Sequence, residues 1–219
     1  NDGLTVNLYT ESTATAEIED GRSVTIRQET DYPSSGRVRI VLTPSETMEF
    51  CLRLRIPGWC PQATLAINGE PAVPVHPGAS FHEIRRVWTP GDAVTLDMPM
   101  PWRFVRGRKA HEGRAALMRG PVVYCVGAAN NAEMLTTCEK PGDLVIDPAS
   151  LGTPVEDTAF RPGGRKVLVK AWPPNGPATE PVPLDVVLTE FVDPTGVTTH
   201  FRLADVTNAV DDELVNRQP

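Results

Sequence analysis

The sequence predicts an all-β protein, built as two antiparallel β-sandwich domains with few or no long helices. Three observations predict it. Apolar residues recur at every second position in short runs, as in a strand with one buried face. Pairs drawn from Gly, Pro, Asn and Asp punctuate those runs at spacings of roughly ten residues. No stretch carries the 3.6-residue period of a long amphipathic helix. The 22 prolines and 17 glycines fall between the apolar runs, as turn residues should.

The elements follow in order. Leu4, Val6 and Leu8 alternate with polar neighbours, and so do Ala14, Ala16 and Ile18. Asp20-Gly21 then reads as a hairpin turn, since both residues tolerate positive φ. Val24 and Ile26 form the returning strand, and Val38, Ile40 and Leu42 the next one after the Pro33–Gly36 loop. Met48, Phe50, Leu52, Leu54 and Ile56 make the clearest strand, stopped by Pro57-Gly58. Pro lacks the ladder donor there, and Gly allows the bend. Leu65 and Ile67 lead into Asn68-Gly69, and Val87-Trp88 into Thr89-Pro90-Gly91-Asp92. Val94, Leu96 and Met98 alternate before Pro99 and Pro101, which a central strand would not accept.

A basic stretch over residues 103–112 marks a domain boundary, so the first sandwich is assigned to residues 1–106. The second is assigned to residues 107–205. Its strands are Ala115–Arg119, the unbroken apolar run Val122–Val126, Leu144–Ile146, Val167–Trp172 and Leu184–Phe191. An unbroken run implies burial on both faces. Residues 130–139 read as a helical turn or loop, and Pro173–Pro177 as a rigid loop. Asp193-Pro194-Thr195-Gly196 reads as a turn that lets Thr198–Leu203 pair back on Leu184–Phe191. Residues 206–219 form a polar tail, either a short helix over 211–216 or a returning segment.

The formal charge of −7 argues against nucleic acid, which needs a basic surface, and against an anionic membrane. No apolar run approaches the roughly 18 residues of a membrane span. The chain starts Asn1-Asp2 without Met, as a processed or excised segment would. The cysteines, at 51, 60, 125 and 138, have neither Cys-x-x-Cys nor finger-like spacing. They read as buried free thiols of a reducing, cytoplasm-like compartment, with a Cys51–Cys60 bridge the lesser alternative.

Catalytic chemistry is hard to find. Asp92 lies in a tight turn, where Asp commonly bonds its own backbone, and Asp97 on a strand's polar face. Glu83 between His82 and Ile84 could face a ligand. His76, His82, His111 and His200 show no ligand spacing, and no nucleophile elbow or phosphate loop occurs. Trp59, Trp88, Trp102 and Trp172 would stack on sugars if exposed, although a Trp at a strand end is more often core. The candidate ligand-binding residues are therefore Trp59, Trp88, Trp102 and Glu83. No residue is assigned a catalytic or metal-binding role.

Five runs in order carry a family likeness: LRIPGWC at 54–60, Asn68-Gly69-Glu70, WTPGD at 88–92, LDMPMPWR at 96–103 and GRAALMRGPVVYC at 113–125. Each is weak alone, but together they are specific. The series resembles the C-terminal part of glycoside hydrolase family 127, formerly domain of unknown function 1680, which includes β-L-arabinofuranosidases. It covers roughly residues 4–126, and Leu188–Leu203 departs from the family's usual ending. The resemblance implies a large (α/α)6 barrel followed by β-sandwich domains. It places a zinc-bound cysteine nucleophile, its companion cysteines and glutamates on that barrel, upstream of this chain. None of the four cysteines here matches the family's adjacent-cysteine motif.

Three readings follow. The first is a non-catalytic β-sandwich region supporting the catalytic barrel of the parent polypeptide, with no cofactor of its own. The second is a carbohydrate-binding module with exposed aromatics. The third is a homodimerisation element with a bare apolar face.

Overall fold

The computed structural model describes residues 3–19, 21–75, 80–174 and 182–211, apart from the side chains of residues 19 and 208. The chain divides into two compact units, Asn1–Met100 and Pro101–Pro219.

The first unit holds β1 (Gly3–Val6), β2 (Ser12–Glu19), β3 (Arg22–Thr30), β4 (Arg37–Pro44), β5 (Met48–Ile56), β6 (Ala63–Ile67), β7 (Val73–Val75), β8 (Ser80–Trp88) and β9 (Ala93–Asp97). They form a three-stranded sheet, β1-β5-β8, and a six-stranded sheet, β2-β3-β4-β9-β6-β7. Alternation builds the sandwich. Met48, Phe50, Leu52, Leu54 and Ile56 of β5 are all buried, and so are Val38, Ile40 and Leu42 of β4 and Val94 and Leu96 of β9. These side chains from both sheets share one core with Trp59 and Trp88. Each fully buried Leu or Ile contributes roughly 1.5–3 kcal/mol relative to exposure.

Turn chemistry holds the register. Asn68 and Gly69 both have positive φ, 52° and 80°, and the Glu70 amide donates to the Ile67 carbonyl at 2.9 Å. At Gly36 a Cβ would lie 1.8 Å from the Met98 carbonyl oxygen, so only glycine fits beside the end of β9. One pairing departs from the antiparallel expectation: β1 runs parallel to β5, with Leu4 opposite Leu52. Parallel partners so distant in sequence leave no local signal. The alternation of Leu4 and Val6 does not extend to Leu8, which is 72% exposed and lies outside β1.

The second unit holds β10 (Trp102–Arg106), β11 (Ala115–Arg119), β12 (Val122–Gly127), α1 (Ala132–Thr137), β13 (Val145–Ile146), β14 (Val155–Glu156), β15 (Arg165–Trp172), β16 (Leu184–Glu190), β17 (Gly196–Thr198), β18 (Arg202–Leu203) and β19 (Ala209–Val210). Its strands follow one path, β18-β13-β15-β16-β12-β11-β10-β19, with β14 beside β15 and β17 beside β12. The path turns back on itself. Ala115 on β11 and Phe201, just before β18, exchange both backbone hydrogen bonds, at 2.8 and 3.1 Å. The all-β class stands, and here a single curled sheet wraps the core of Leu117, Tyr124, Val126, Val169, Val186, Leu188 and Phe201.

Two expectations change. The boundary falls at Met100/Pro101, earlier than residue 106, because β10 pairs with β11 through Trp102–Arg106. Thr198–Leu203 does not pair back on β16; β17 joins β12 and β18 joins β13 in parallel. The pairing of β12 with β17 carries a register irregularity at Val126/Gly127, while the same strand also pairs with β16. Part of the polar tail returns to the sheet as β19, parallel to β10, in keeping with the returning-segment alternative. Asp20, His76, residues 175–177 of the predicted loop and residues 212–216 of the predicted helix lie outside the described residues.

Candidate functional site

Each candidate ligand residue is occupied by structure. Trp88 ends β8 with no solvent exposure. Its Nε1–H donates to the Phe50 carbonyl at 3.1 Å, its ring lies 5.8 Å from Phe50, and the Arg86 guanidinium sits 5.2 Å above it. Trp59 is 8% exposed, tucked under the Pro57–Cys60 turn that the Cys60 amide closes at 3.0 Å. Trp102 is half-buried, edge-on to Tyr124 at 4.8 Å. Glu83 is exposed and pairs with Arg53 at 2.9 Å, its direct cross-strand neighbour. Among the described residues the touching rings of Phe, Tyr and Trp meet edge-to-face or tilted, which does not make a flat sugar platform.

The carboxylates are also committed. Asp92 accepts from the Thr89 amide at 2.9 Å and from Asn68 Nδ2 at 2.8 Å, while Asn68 Oδ1 accepts from the Ala93 amide at 2.8 Å. The Thr89 amide first, then Asn68 and Arg86, hold the Asp92 carboxyl below its ordinary value. Such a group stays ionised and caps its turn. In the second unit Glu190, 6% exposed, receives Arg161 through Nε at 2.5 Å and Nη2 at 2.8 Å, and the Arg165 amide at 3.1 Å. A buried carboxylate needs such donors, because the unpaired charge would be costly to desolvate.

All four cysteines are buried free thiols, so no Cys51–Cys60 bridge forms. Burial pushes the Cys60 and Cys125 thiols up, away from the thiolate a nucleophile or ligand requires. The family resemblance implies zinc on a barrel outside this chain. The residues here do not fit the ion: among those described, no three His, Cys, Asp or Glu side chains converge as a ligand set.

Two open grooves in the second unit escaped sequence reading. One of about 520 Å³ is bordered by Lys140, Arg202, Glu139, Asp143, Pro173 and Pro174; another of about 300 Å³ runs between α1 and the start of β16. The first is charged and lacks an aromatic wall. The structure also joins His111 to His200, 89 positions later, with ring centres 4.4 Å apart. No spacing rule could have paired them.

Residues 3–100, the first unit almost to its ends, match the family described as β-L-arabinofuranosidase, GH127 middle domain. The first unit resembles a GH127 middle domain over nearly its whole length. A curated non-reducing end β-L-arabinofuranosidase from Bifidobacterium longum subsp. longum is 33% identical over 141 residues, 59% of this chain and 19% of that protein. A solved GH127 β-L-arabinofuranosidase from Geobacillus stearothermophilus T6 superposes with TM-score 0.76 and 31% identity, covering 92% of this chain and 34% of its own. A solved glycoside hydrolase gives TM-score 0.76 at 28% identity, covering 93% and 36%. The similarity thus extends through the second unit, past the point where the sequence likeness ends. The chain spans about a third of these solved structures, and its aligned part about a fifth of the curated relative.

Proposed function

We propose that this chain is the non-catalytic β-sandwich region of a GH127-like β-L-arabinofuranosidase and supports an (α/α)6 catalytic barrel in the parent polypeptide. One observation carries the reading: Trp88 and the carboxylates with candidate roles are already engaged by their own sheets and turns. Trp88 fills the core, Asp92 caps a turn, Glu83 matches Arg53 and Glu190 neutralises Arg161. The length ratio to the relatives supports it as well, since most of each enzyme lies outside the aligned third. Zinc, in this reading, belongs to the barrel.

The test is a chimera in which this chain replaces the corresponding third of the Geobacillus relative. The expected result is a soluble enzyme that hydrolyses a β-L-arabinofuranoside, and that loses solubility when the core residue Trp88 becomes Ala. Equal stability and activity of the barrel with this region deleted would contradict the proposal. Calorimetry with arabino-oligosaccharides separates the carbohydrate-binding alternative, which predicts saturable heat from this chain alone.

A further inference from the structure

His111 and His200 meet at the seam where the second unit's sheet turns back on itself. His200 immediately precedes Phe201, whose backbone exchanges hydrogen bonds with Ala115, and Phe201 is fully buried in the core. His111 is delivered by a short turn, Lys109–His111, in the link from β10 to β11. That turn is tightly specified. Lys109 has φ 55°, a left-handed conformation that is unfavourable for a non-glycine residue. A Cβ at Gly107 would lie 2.2 Å from the His111 carbonyl oxygen, so glycine is required for the chain to fold back there. Strain of this kind persists only where the surroundings hold it in place.

The charged groups facing the ring pair are Arg114 and Asp143. Arg114 donates to the Gly142 carbonyl at 2.9 Å and to Asp143 at 2.6 Å, and its Nη1 and His200 Nε2 lie on the same side of Gly142. Arg202 reaches Asp143 at 3.8 Å. Arg108, Lys109 and Glu112 flank His111 along the chain and are exposed. One carboxylate therefore serves two guanidinium groups, with little left to neutralise two imidazolium rings. Thr198 Oγ1–H donates to the His200 carbonyl at 2.9 Å and so fixes the backbone that carries the ring.

We propose that the His111–His200 contact is an acid-sensitive latch: it holds the Ala115–Phe201 seam closed while the rings are neutral and loosens it when both carry protons. Two imidazolium rings in contact beside Arg114 repel, and the strands they brace meet there by only one bridged pair. The electrostatics agree in sign. Burial first, then His111 and Arg114, hold His200 below the ordinary imidazole value, with Asp143 opposing. A folded-state value below the unfolded one means the contribution is whole above the ordinary imidazole range. It is lost as pH falls through that range.

Amide hydrogen exchange read by NMR on the whole chain tests this directly, because the Ala115 and Phe201 amides are themselves the seam. Between about pH 7.5 and pH 5, protection at both should fall about tenfold after correction for intrinsic exchange, and recover on return. His111→Gln, at an exposed position, should abolish most of that fall. In the same variant the His200 ring should titrate at higher pH, because its cationic neighbour is gone. Unchanged protection across the range in the wild type, an equal fall in His111→Gln, or a His200 titration that ignores His111 would each overturn the latch.

Discussion

Replacing Trp88 by Phe separates a core role from a sugar-stacking one, because Phe keeps an aromatic face but not the indole. The substitution removes the hydrogen bond to the Phe50 carbonyl, worth about 1 kcal/mol. It also leaves a void of roughly 40 Å³, which at about 24 cal/mol per Å³ adds about 1 kcal/mol. The sum is about 2 kcal/mol lost from the first unit. For a unit of this size that is a fall in Tm of roughly 8–16 °C. Far-UV circular dichroism during urea unfolding reads it, with the two units fitted as separate transitions, since two domains need not unfold as one. A loss below about 0.5 kcal/mol, accompanied by weakened binding of an arabino-oligosaccharide, would refute the reasoning and return Trp88 to a ligand surface.

Further outcomes follow from the same geometry. Arg161→Ala strands the buried Glu190 carboxylate and should destabilise the second unit by about 3–5 kcal/mol, measured by denaturant unfolding. Glu83→Gln should change stability by less than about 1 kcal/mol, since it removes an exposed cross-strand pair; urea midpoints decide. Asp92→Asn should cost about 1–2 kcal/mol near neutrality. The Asp92 carboxyl is held below its ordinary value by the Thr89 amide, so its contribution exists above that value and is lost as pH falls through the folded one. The gap between wild type and variant should therefore close in strong acid, and a gap that widens there contradicts the capping role. An aromatic disulfide reagent should find all four cysteines unreactive in the native chain and all four reactive in denaturant.

Much of the first unit was legible because each strand has one wet face. Met48, Phe50, Leu52, Leu54 and Ile56 alternate in sequence and are buried in fact. Alternation says which face is buried but not which strand lies alongside, so the parallel pairing of β1 with β5 was out of reach. The second unit was harder for the same reason, amplified. Its strands are short, β12 serves three partners, and β18 and β19 make parallel contacts with β13 and β10. β10 hid because Arg103 and Arg106 interrupt the apolar pattern around the buried Phe104. Residue type alone cannot tell an exposed tryptophan from a buried one. Glu83 sits on the exposed face of its strand, and its neighbours His82 and Ile84 point to the other face. The His111–His200 contact depends wholly on closure of the sheet and left no trace in the sequence.

In the proposed function these side chains cement sheets and do not attack a glycosidic bond. Incubation of the purified chain with a chromogenic β-L-arabinofuranoside, with and without a chelator, tests it most directly. No release above the spontaneous rate is predicted in either arm. Turnover that rises in proportion to the chain through repeated purification would contradict it.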